Sequence, residues 1–111
     1  MDCLFCKIGS GKIASKKVFE TDELFVIKDI NAQAPVHLLV IPKKHYSTLL
    51  ECEDPALLGS LLETAKKMAI KAGISESGFR TIINTNAEGG QVVFHIHVHV
   101  IGGTPLGGKL G

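Results

Sequence analysis

Three of the five histidines in this 111-residue chain stand at every second position, as His95, His97 and His99. The residues between Val92 and Ile101 are otherwise β-branched or aromatic, so the segment predicts a β-strand. Side chains alternate along a strand, which places the three imidazoles on one face and apolar side chains on the other. Imidazole titrates near neutral pH and binds metals in its neutral form. The row therefore predicts a site of proton transfer, nucleophilic attack or metal binding.

Two metal-binding arrangements are compatible with this row. Neighbouring histidines on a strand can bind one catalytic zinc ion and leave a position open for water. The outer two lie about 14 Å apart on a flat strand, so all three cannot share one ion. Alternatively, the pair Cys3 and Cys6 joins His45 and one strand histidine in a Cys2His2 set, the ligand inventory of a structural zinc site. Cysteines buried simply as small apolar side chains are the ordinary alternative.

Nucleophilic catalysis at phosphorus is the third possibility. A neutral imidazole can attack a phosphoryl centre and hold a covalent intermediate while a second imidazole assists the leaving group. The turn Gly89-Gly90-Gln91 before the row can offer backbone N–H groups to phosphate oxygens. A lone histidine among apolar residues is usually a hydrogen-bonded core residue, but three at alternate positions after a glycine turn favour a functional site.

Composition predicts one soluble domain without a polyanionic partner. The chain is 45% hydrophobic and 21% charged, and its twelve basic and eleven acidic residues leave a net charge of +1. No stripe of lysine and arginine indicates nucleic acid, although a small anion is still allowed. Neither a leader-like segment nor an apolar run of about 18 residues is present, which predicts a cytoplasmic protein without a membrane partner. Three cysteines argue against a disulfide framework.

The surrounding elements predict an α+β fold, an antiparallel sheet with one long helix on one face. Asp54 is the expected N-cap of a helix over residues 55–72, with proline at its first position and Gly73 at its end. A short helical opening is possible around Cys3 to Ile8. The tail at 104–111 has no periodicity and is expected to be flexible. The helix's apolar arc comprises Leu57, Leu58, Leu61, Leu62, Ala65, Met68, Ala69 and Ala72, and the strands are expected at 17–20, 24–27, 37–41, 79–84 and 92–101.

The combination of these segments resembles the histidine-triad (HIT) superfamily, and most closely its Hint branch of nucleoside phosphoramidases. The resemblance covers nearly the whole chain. It implies a single domain at 1–103 with a five-stranded antiparallel sheet, one long helix and a short N-terminal helix, joined to a second copy as a homodimer. The matching segments are Cys3-Leu4-Phe5-Cys6-Lys7-Ile8, the stretch from Asp29 to His37, the stretch from Leu39 to His45, and His95-Ile96-His97-Val98-His99 after Gly89-Gly90-Gln91.

The resemblance also implies a role for each site residue. His97 matches the nucleophile that attacks the α-phosphorus of a purine nucleoside 5′-phosphoramidate, forming a nucleotidyl-histidine that water hydrolyses. His99 matches the residue that contacts the phosphate and assists the leaving group, and His37 matches a further histidine that lines the same pocket. Asp29 matches the carboxylate that accepts hydrogen bonds from the ribose hydroxyls. Further nucleotide contacts are implied at Phe5, Ile8, Ile27, Ile30, Leu39, Asn84, Gly90, Gln91, Val92 and Val93. A structural zinc ion is implied at Cys3, Cys6, His45 and His95.

Two departures from the family pattern affect substrate preference. Val92 stands where many Hint proteins have a serine that contacts the phosphate, so that contact must come from the backbone or from Gln91. The C-terminal tail has no aromatic residue of the kind that reaches the partner's active site in some members. A regulatory nucleotide-binding protein and a dinucleoside polyphosphate hydrolase are therefore retained as alternative functions.

Overall fold

The computed structural model describes residues 3–110 and contains five strands, two α-helices and one 3-10 turn. All five strands form a single antiparallel sheet in the order β1-β2-β3-β5-β4, so the last strand in the chain lies between β3 and β4. The predicted α+β class, with one long and one short helix, is confirmed. The elements are α1 (Leu4–Gly9), β1 (Phe19–Glu20), β2 (Leu24–Lys28), β3 (Val36–Pro42), the 3-10 turn (Leu49–Glu51), α2 (Pro55–Lys71), β4 (Phe79–Ile82) and β5 (Val98–Gly102).

The sheet is covered on both faces, which explains why β2 and β3 are apolar along nearly their whole length. One face packs against α2 and the other against α1. Alternate residues of β3 divide between them, with Val40 in the first cluster and Leu39 and Ile41 in the second. The cluster under α1 comprises Cys3, Phe5, Ile8, Phe25, Ile27, Leu39 and Ile41.

Helix α2 has the boundaries that its capping residues predict. The Asp54 side chain accepts a hydrogen bond from the backbone N–H of Leu57 at 3.1 Å, and Gly73 takes a φ of +77° just past the helix end. The predicted apolar arc is wrong at its edges, since Leu62 is 50% exposed and Ala72 is exposed. Leu62 lies 100° around the helix from the buried Leu61, which turns it away from the sheet.

Removal of the Asp54 cap tests the energetic importance of this helix end. Asp54→Ala is expected to lower the free energy of unfolding by about 1 kcal/mol, because the Leu57 N–H loses its acceptor. Urea denaturation measures the loss. The neighbouring exposed Glu53 makes a matched control, and Glu53→Ala should change stability by less than about 0.5 kcal/mol. Equal losses in the two variants would show that the cap contributes nothing specific.

The predicted strand over 92–101 is wrong for its first half, because β5 begins only at Val98. Its pairing with β3 runs from Val36 opposite Gly102 to Val40 opposite Val98. Pro42 prevents the ladder from continuing, since proline has no N–H and the Pro42 carbonyl accepts instead from the ring Nε2–H of His95 at 2.7 Å.

The C-terminal segment contacts the edge of the sheet. On the edge strand β4, the Arg80 guanidinium donates to the Gly107 carbonyl at 2.7 Å. The flexibility expected for residues 104–111 stays a prediction.

Neither helix within residues 3–110 is long and apolar enough to cross a membrane.

Candidate active site and donor cluster

Three histidines meet on the sheet face that carries α1. His37 lies on β3 and His99 on β5, while His97 lies immediately before β5. The ring centroids of His97 and His99 are 5.0 Å apart, and those of His37 and His99 are 5.1 Å apart. Sequence reasoning placed His97 and His99 on one face, and the antiparallel pairing of β3 with β5 adds His37 to them.

Hydrogen bonding decides which nitrogen of His97 is free to react. Its Nδ1 lies 2.7 Å from the backbone carbonyl of His95. A carbonyl can only accept, so Nδ1 carries the proton and Nε2 keeps an unprotonated lone pair. Burial lowers the pKa of His97, although the bond to the His95 carbonyl and the nearby Asp29 charge oppose this shift. The ring is therefore neutral at pH 7, with Nε2 available as a nucleophile.

The proton positions of His37 and His99 follow from the same reasoning. The backbone N–H of Gln33 donates to His37 Nδ1 at 3.0 Å, so the proton of the neutral ring is on Nε2. That Nε2 lies 2.9 Å from Nδ1 of His99 and 3.2 Å from Oδ2 of Asp29. His99 Nδ1 thus accepts, and its own proton is on Nε2. Sequence reasoning missed Gln33, because a backbone donor leaves no signal in residue type.

His99 is held in its neutral form, which gives the protein a defined acid sensitivity. Burial, followed by the neighbouring His97 and His37, lowers the pKa of His99 to about 4. The unfolded chain, with an ordinary pKa of about 6.5, binds this proton more readily than the folded one. Stability from His99 is therefore complete above about pH 6.5 and is lost as pH falls towards 4.

The expected contribution is on the order of 1 to 2 kcal/mol between pH 7 and pH 4, less than the full pKa shift would give, because the ring is only partly buried and solvent screens part of the effect. Urea denaturation of the wild type and of His99→Gln across this range measures it, since glutamine has no titrating group. The variant should lose less stability on acidification than the wild type. Parallel pH profiles for the two proteins would contradict the assignment.

Asp29 lies at the end of β2 and faces this group of histidines. Its Oδ1 accepts the backbone N–H of Asn31 at 2.8 Å, which fixes the carboxylate, while Oδ2 is near His37. The carboxylate keeps lone pairs that can accept from a diol. A cavity of about 320 Å³ borders Asp29 and His37 and extends towards Ala72 beyond α2. Because His97 does not line that cavity, the cavity is not where phosphorus would meet the nucleophile.

The apolar residues expected around a nucleobase are only partly assembled. Phe5, Ile8, Ile27 and Leu39 are buried together, and Val93 packs against them. Ile30 and Val92 do not join this cluster, since their side chains are 96% and 87% exposed. Ile30 lies in the loop after β2, and Val92 lies ahead of β5, so neither is turned inward by strand alternation. Asn84 is half-buried just after β4.

Gln91 has a different local role from the one its sequence position suggests. Its Oε1 accepts the backbone N–H of Asn86 at 2.9 Å, and its Nε2 donates to the carbonyls of Ser47 at 2.7 Å and Val93 at 3.2 Å. The buried amide is thus engaged in holding the loop 85–93. Gly90, with a φ of +81°, is exposed on this loop. The backbone N–H groups of Gly90 and Gln91 also already donate, to the carbonyls of Ala87 and Asn86 at 3.0 Å each, so an anion would have to be met by the N–H groups of Val92 and Val93.

A second group of side chains, here named the donor cluster, consists of Cys3, Cys6, His45 and His95. Nδ1 of His95 lies 3.3 Å from Sγ of Cys3, 3.6 Å from Sγ of Cys6 and 3.1 Å from Nδ1 of His45. Nδ1 of His45 lies 3.4 Å from Sγ of Cys6. Tetrahedral zinc ligands stand about 3.4 to 3.8 Å apart, so these distances match within about 0.3 Å. The four residues fit a closed metal site.

Proton positions separate the donor cluster from the other group of possible metal ligands, Asp29, His37 and His99. In the donor cluster, Nε2–H of His95 donates to the Pro42 carbonyl, so Nδ1 presents its lone pair to a metal. In the other group, His37 Nδ1 accepts from Gln33, so its Nε2 is protonated. The first group is therefore arranged for metal binding and the second for proton sharing.

Together, the fold and the site define an α+β protein with a group of three histidines, a candidate active site, at the centre of an antiparallel sheet. The HIT domain model matches residues 10–106. The chain belongs to the HIT family.

Similar proteins include hydrolases and nucleotide-binding members of this family. The structure of a HIT family hydrolase from Legionella pneumophila Philadelphia 1 is 46% identical, with a TM-score of 0.95 over 99% of this chain and 100% of that one. A histidine triad nucleotide-binding protein from Candida albicans is 32% identical, with a TM-score of 0.83 over 89% and 73%. The purine nucleoside phosphoramidase of Escherichia coli (strain K12) is 41% identical over 98% of this chain and 93% of its own length.

Proposed function

We propose that this protein is a purine nucleoside 5′-phosphoramidase of the Hint branch that acts through a nucleotidyl-histidine intermediate. The observation that carries the proposal is the unprotonated Nε2 of His97, fixed by the bond from Nδ1–H to the His95 carbonyl at 2.7 Å. A related enzyme from Escherichia coli, 41% identical, bears the name of this activity. The apolar cluster and the Asp29 carboxylate supply what a base and a ribose require.

Binding would divide the nucleotide among three parts of the site. The base would contact the apolar group around Phe5, Ile8, Ile27 and Leu39, with Ile30 available to cover it from outside. Asp29 would accept hydrogen bonds from the ribose hydroxyls. The phosphate would lie between His97 and His99, where the backbone N–H groups of Val92 and Val93, in the segment that follows Gly90, can donate to its oxygens. Asn84 is proposed to contact the phosphate from just beyond β4.

The chemical step would begin with attack of His97 Nε2 on the α-phosphorus. As the bond between His97 Nε2 and phosphorus forms, positive charge develops on the His97 ring. The His95 carbonyl, which accepts the Nδ1–H of that ring, stabilises this charge. Solvent supplies the proton that the leaving nitrogen needs, so the P–N bond breaks to release a neutral amine on the side of His99, whose Nε2–H donates a hydrogen bond to the departing nitrogen. His37 keeps His99 in this tautomer through its own Nε2–H. Water then cleaves the nucleotidyl-histidine and releases the nucleoside monophosphate.

The test is to trap and weigh the covalent intermediate. Protein mixed rapidly with adenosine 5′-phosphoramidate and quenched in acid should gain the mass of one adenylyl group. Guanosine and cytidine phosphoramidates and diadenosine polyphosphates complete the panel. Faster turnover of a diadenosine polyphosphate would favour a dinucleoside polyphosphate hydrolase. AMP binding in a calorimeter without turnover of any member of the panel would favour a regulatory nucleotide-binding protein.

Zinc is proposed as a structural ion held by Cys3, Cys6, His45 and His95. When bound, it would join α1 to the segment before β5. The donor distances and the lone pair of His95 Nδ1 support this assignment. Without metal, the two cysteine side chains and the two histidine rings would have to satisfy one another by hydrogen bonds, and burial raises the pKa of Cys6. Elemental analysis after expression in zinc-replete medium should find about one zinc per chain, and its absence would remove the assignment.

A homodimer is proposed by analogy with the Hint branch. Strand β4 lies at the edge of the sheet, and an edge strand is where a second copy of a chain can extend a sheet. Analytical ultracentrifugation at micromolar concentration measures the oligomeric state. A monomer at all concentrations up to those used for activity measurements would contradict the dimer.

A further inference from the structure

The donor cluster and the candidate nucleophile are joined through two residues. The first is His95, whose ring belongs to the cluster and whose backbone carbonyl accepts the Nδ1–H of His97 at 2.7 Å. The second is Phe5, which lies on α1 between the two cysteines. Its ring meets the rings of His95 and His97 edge-on, with centroids 5.8 Å and 5.3 Å apart. A displacement of the cluster is therefore passed directly to the nucleophile.

Both connecting residues have little room to move independently. His95 is 0% exposed and Phe5 is 5% exposed, and closely packed interiors transmit displacement rather than absorb it. Helix α1 has only six residues, which is too short to be stable by its own hydrogen bonds. Its position depends on the contacts of its side chains, among them those of Cys6 with the two cluster histidines. The cluster therefore holds Phe5 in place.

We propose that closure of the donor cluster on a metal ion orients His97 for attack, with Phe5 and His95 as positioning residues. The kinetic consequence rests on the proposed phosphoramidase function, whereas the ring orientation of His97 can be measured without substrate. Opening the cluster should lower kcat by about 10- to 100-fold, since misplacement of a reacting group by about 1 Å has an effect of that size. KM should rise as well, because Phe5 and Ile8, which are proposed to contact the base, lie on the helix that the cluster holds in place, so the ring orientation of His97 is the readout that isolates the effect on the nucleophile.

The experiment compares the wild type, the wild type after metal removal, Cys6→Ser and Phe5→Leu. The matched controls are Cys52→Ser, a buried thiol outside the cluster, and Phe94→Leu, a half-exposed ring in the same segment. Histidine-ring NMR follows the Nδ1–H resonance of His97, assigned by its absence in His97→Ala. This resonance should persist in the wild type and both controls. It should be lost or broadened by exchange in the other three proteins.

Measuring the metal content of each variant distinguishes the connection through Phe5 from the effect of losing the metal itself. Phe5→Leu retains all four ligands and should keep its metal while losing the ordered His97 resonance; Cys6→Ser should lose both. If circular dichroism shows that Phe5→Leu is not folded, the proposal is tested on the metal-free wild type and on Cys6→Ser alone.

An unchanged His97 resonance and kcat after metal removal and in Cys6→Ser would overturn the proposal. Absence of phosphoramidate turnover in every protein would remove only the proposed function. In that case the NMR comparison would still test whether the cluster orients His97.

Discussion

Replacing His97 with alanine is expected to abolish turnover of adenosine 5′-phosphoramidate and to eliminate the covalent adduct. The loss in kcat should be about 10⁴-fold or more, since no other group can take over nucleophilic attack. His99 cannot substitute, because its Nδ1 accepts from His37 and its Nε2 is protonated. Single-turnover kinetics and intact-protein mass measurement check the two parts of this result.

His99→Ala is the matched control for this prediction. It removes a ring from the same face but leaves Nε2 of His97 and its bond to the His95 carbonyl in place. This variant should still form the adduct, although about 10²-fold more slowly, because assistance to the leaving group is lost. An adduct in His97→Ala, or its complete absence in His99→Ala, would mean that the roles of the two histidines are assigned wrongly.

The largest expected effect on stability comes from His95. His95→Ala should lower the free energy of unfolding by about 3 to 5 kcal/mol, through a cavity in the core and an unpaired Pro42 carbonyl. The side chain is fully buried and contributes to both the donor cluster and the bond to Pro42. Urea denaturation with and without a strong chelator measures the change.

His45→Ala separates the metal contribution from that of burial. His45 is also a donor-cluster residue, but it is less buried and its Nε2 faces the Ser47 hydroxyl at 3.4 Å rather than a core carbonyl. In excess chelator, the free energy of unfolding of His45→Ala should approach that of the wild type, whereas that of His95→Ala should remain well below both. Equal stabilities of the two variants under chelation would show that the bond to Pro42 contributes little.

Local sequence signals were sufficient where a structure depends on neighbouring residues. The boundaries of α2 follow from Asp54, Pro55 and Gly73, whose capping and stop geometry is local. The hairpin of β1 and β2 follows from two apolar runs around a polar turn. A Cys2His2 set of Cys3, Cys6, His45 and one strand histidine was one of the alternatives that residue types allowed, but the choice of His95 came from family resemblance, since nothing local connects Cys3 with a histidine 92 positions later.

Other features depended on partners that the sequence does not reveal. Alternation of apolar residues predicted a strand from Val92 onward, but the pairing partner ends at Pro42. Ile30 was expected to contact the nucleotide because of the family resemblance, yet its loop leaves it exposed. The proton positions that distinguish His97 from His99 depend on carbonyl and N–H groups of the backbone, which every residue carries.

The order of strands also determines when the protein can fold during synthesis. The last strand of the sheet to be synthesised, β5, is the one that separates β3 from β4, and it begins three residues after His95. A nascent chain that stops before Val98 has neither the β3–β5 nor the β4–β5 ladder. Contacts between residues this far apart in sequence are slow to form. Closure of the sheet must therefore wait until β5 has been synthesised, and until then Cys3 and Cys6 lack His95 as a neighbour and remain exposed to solvent and oxidants.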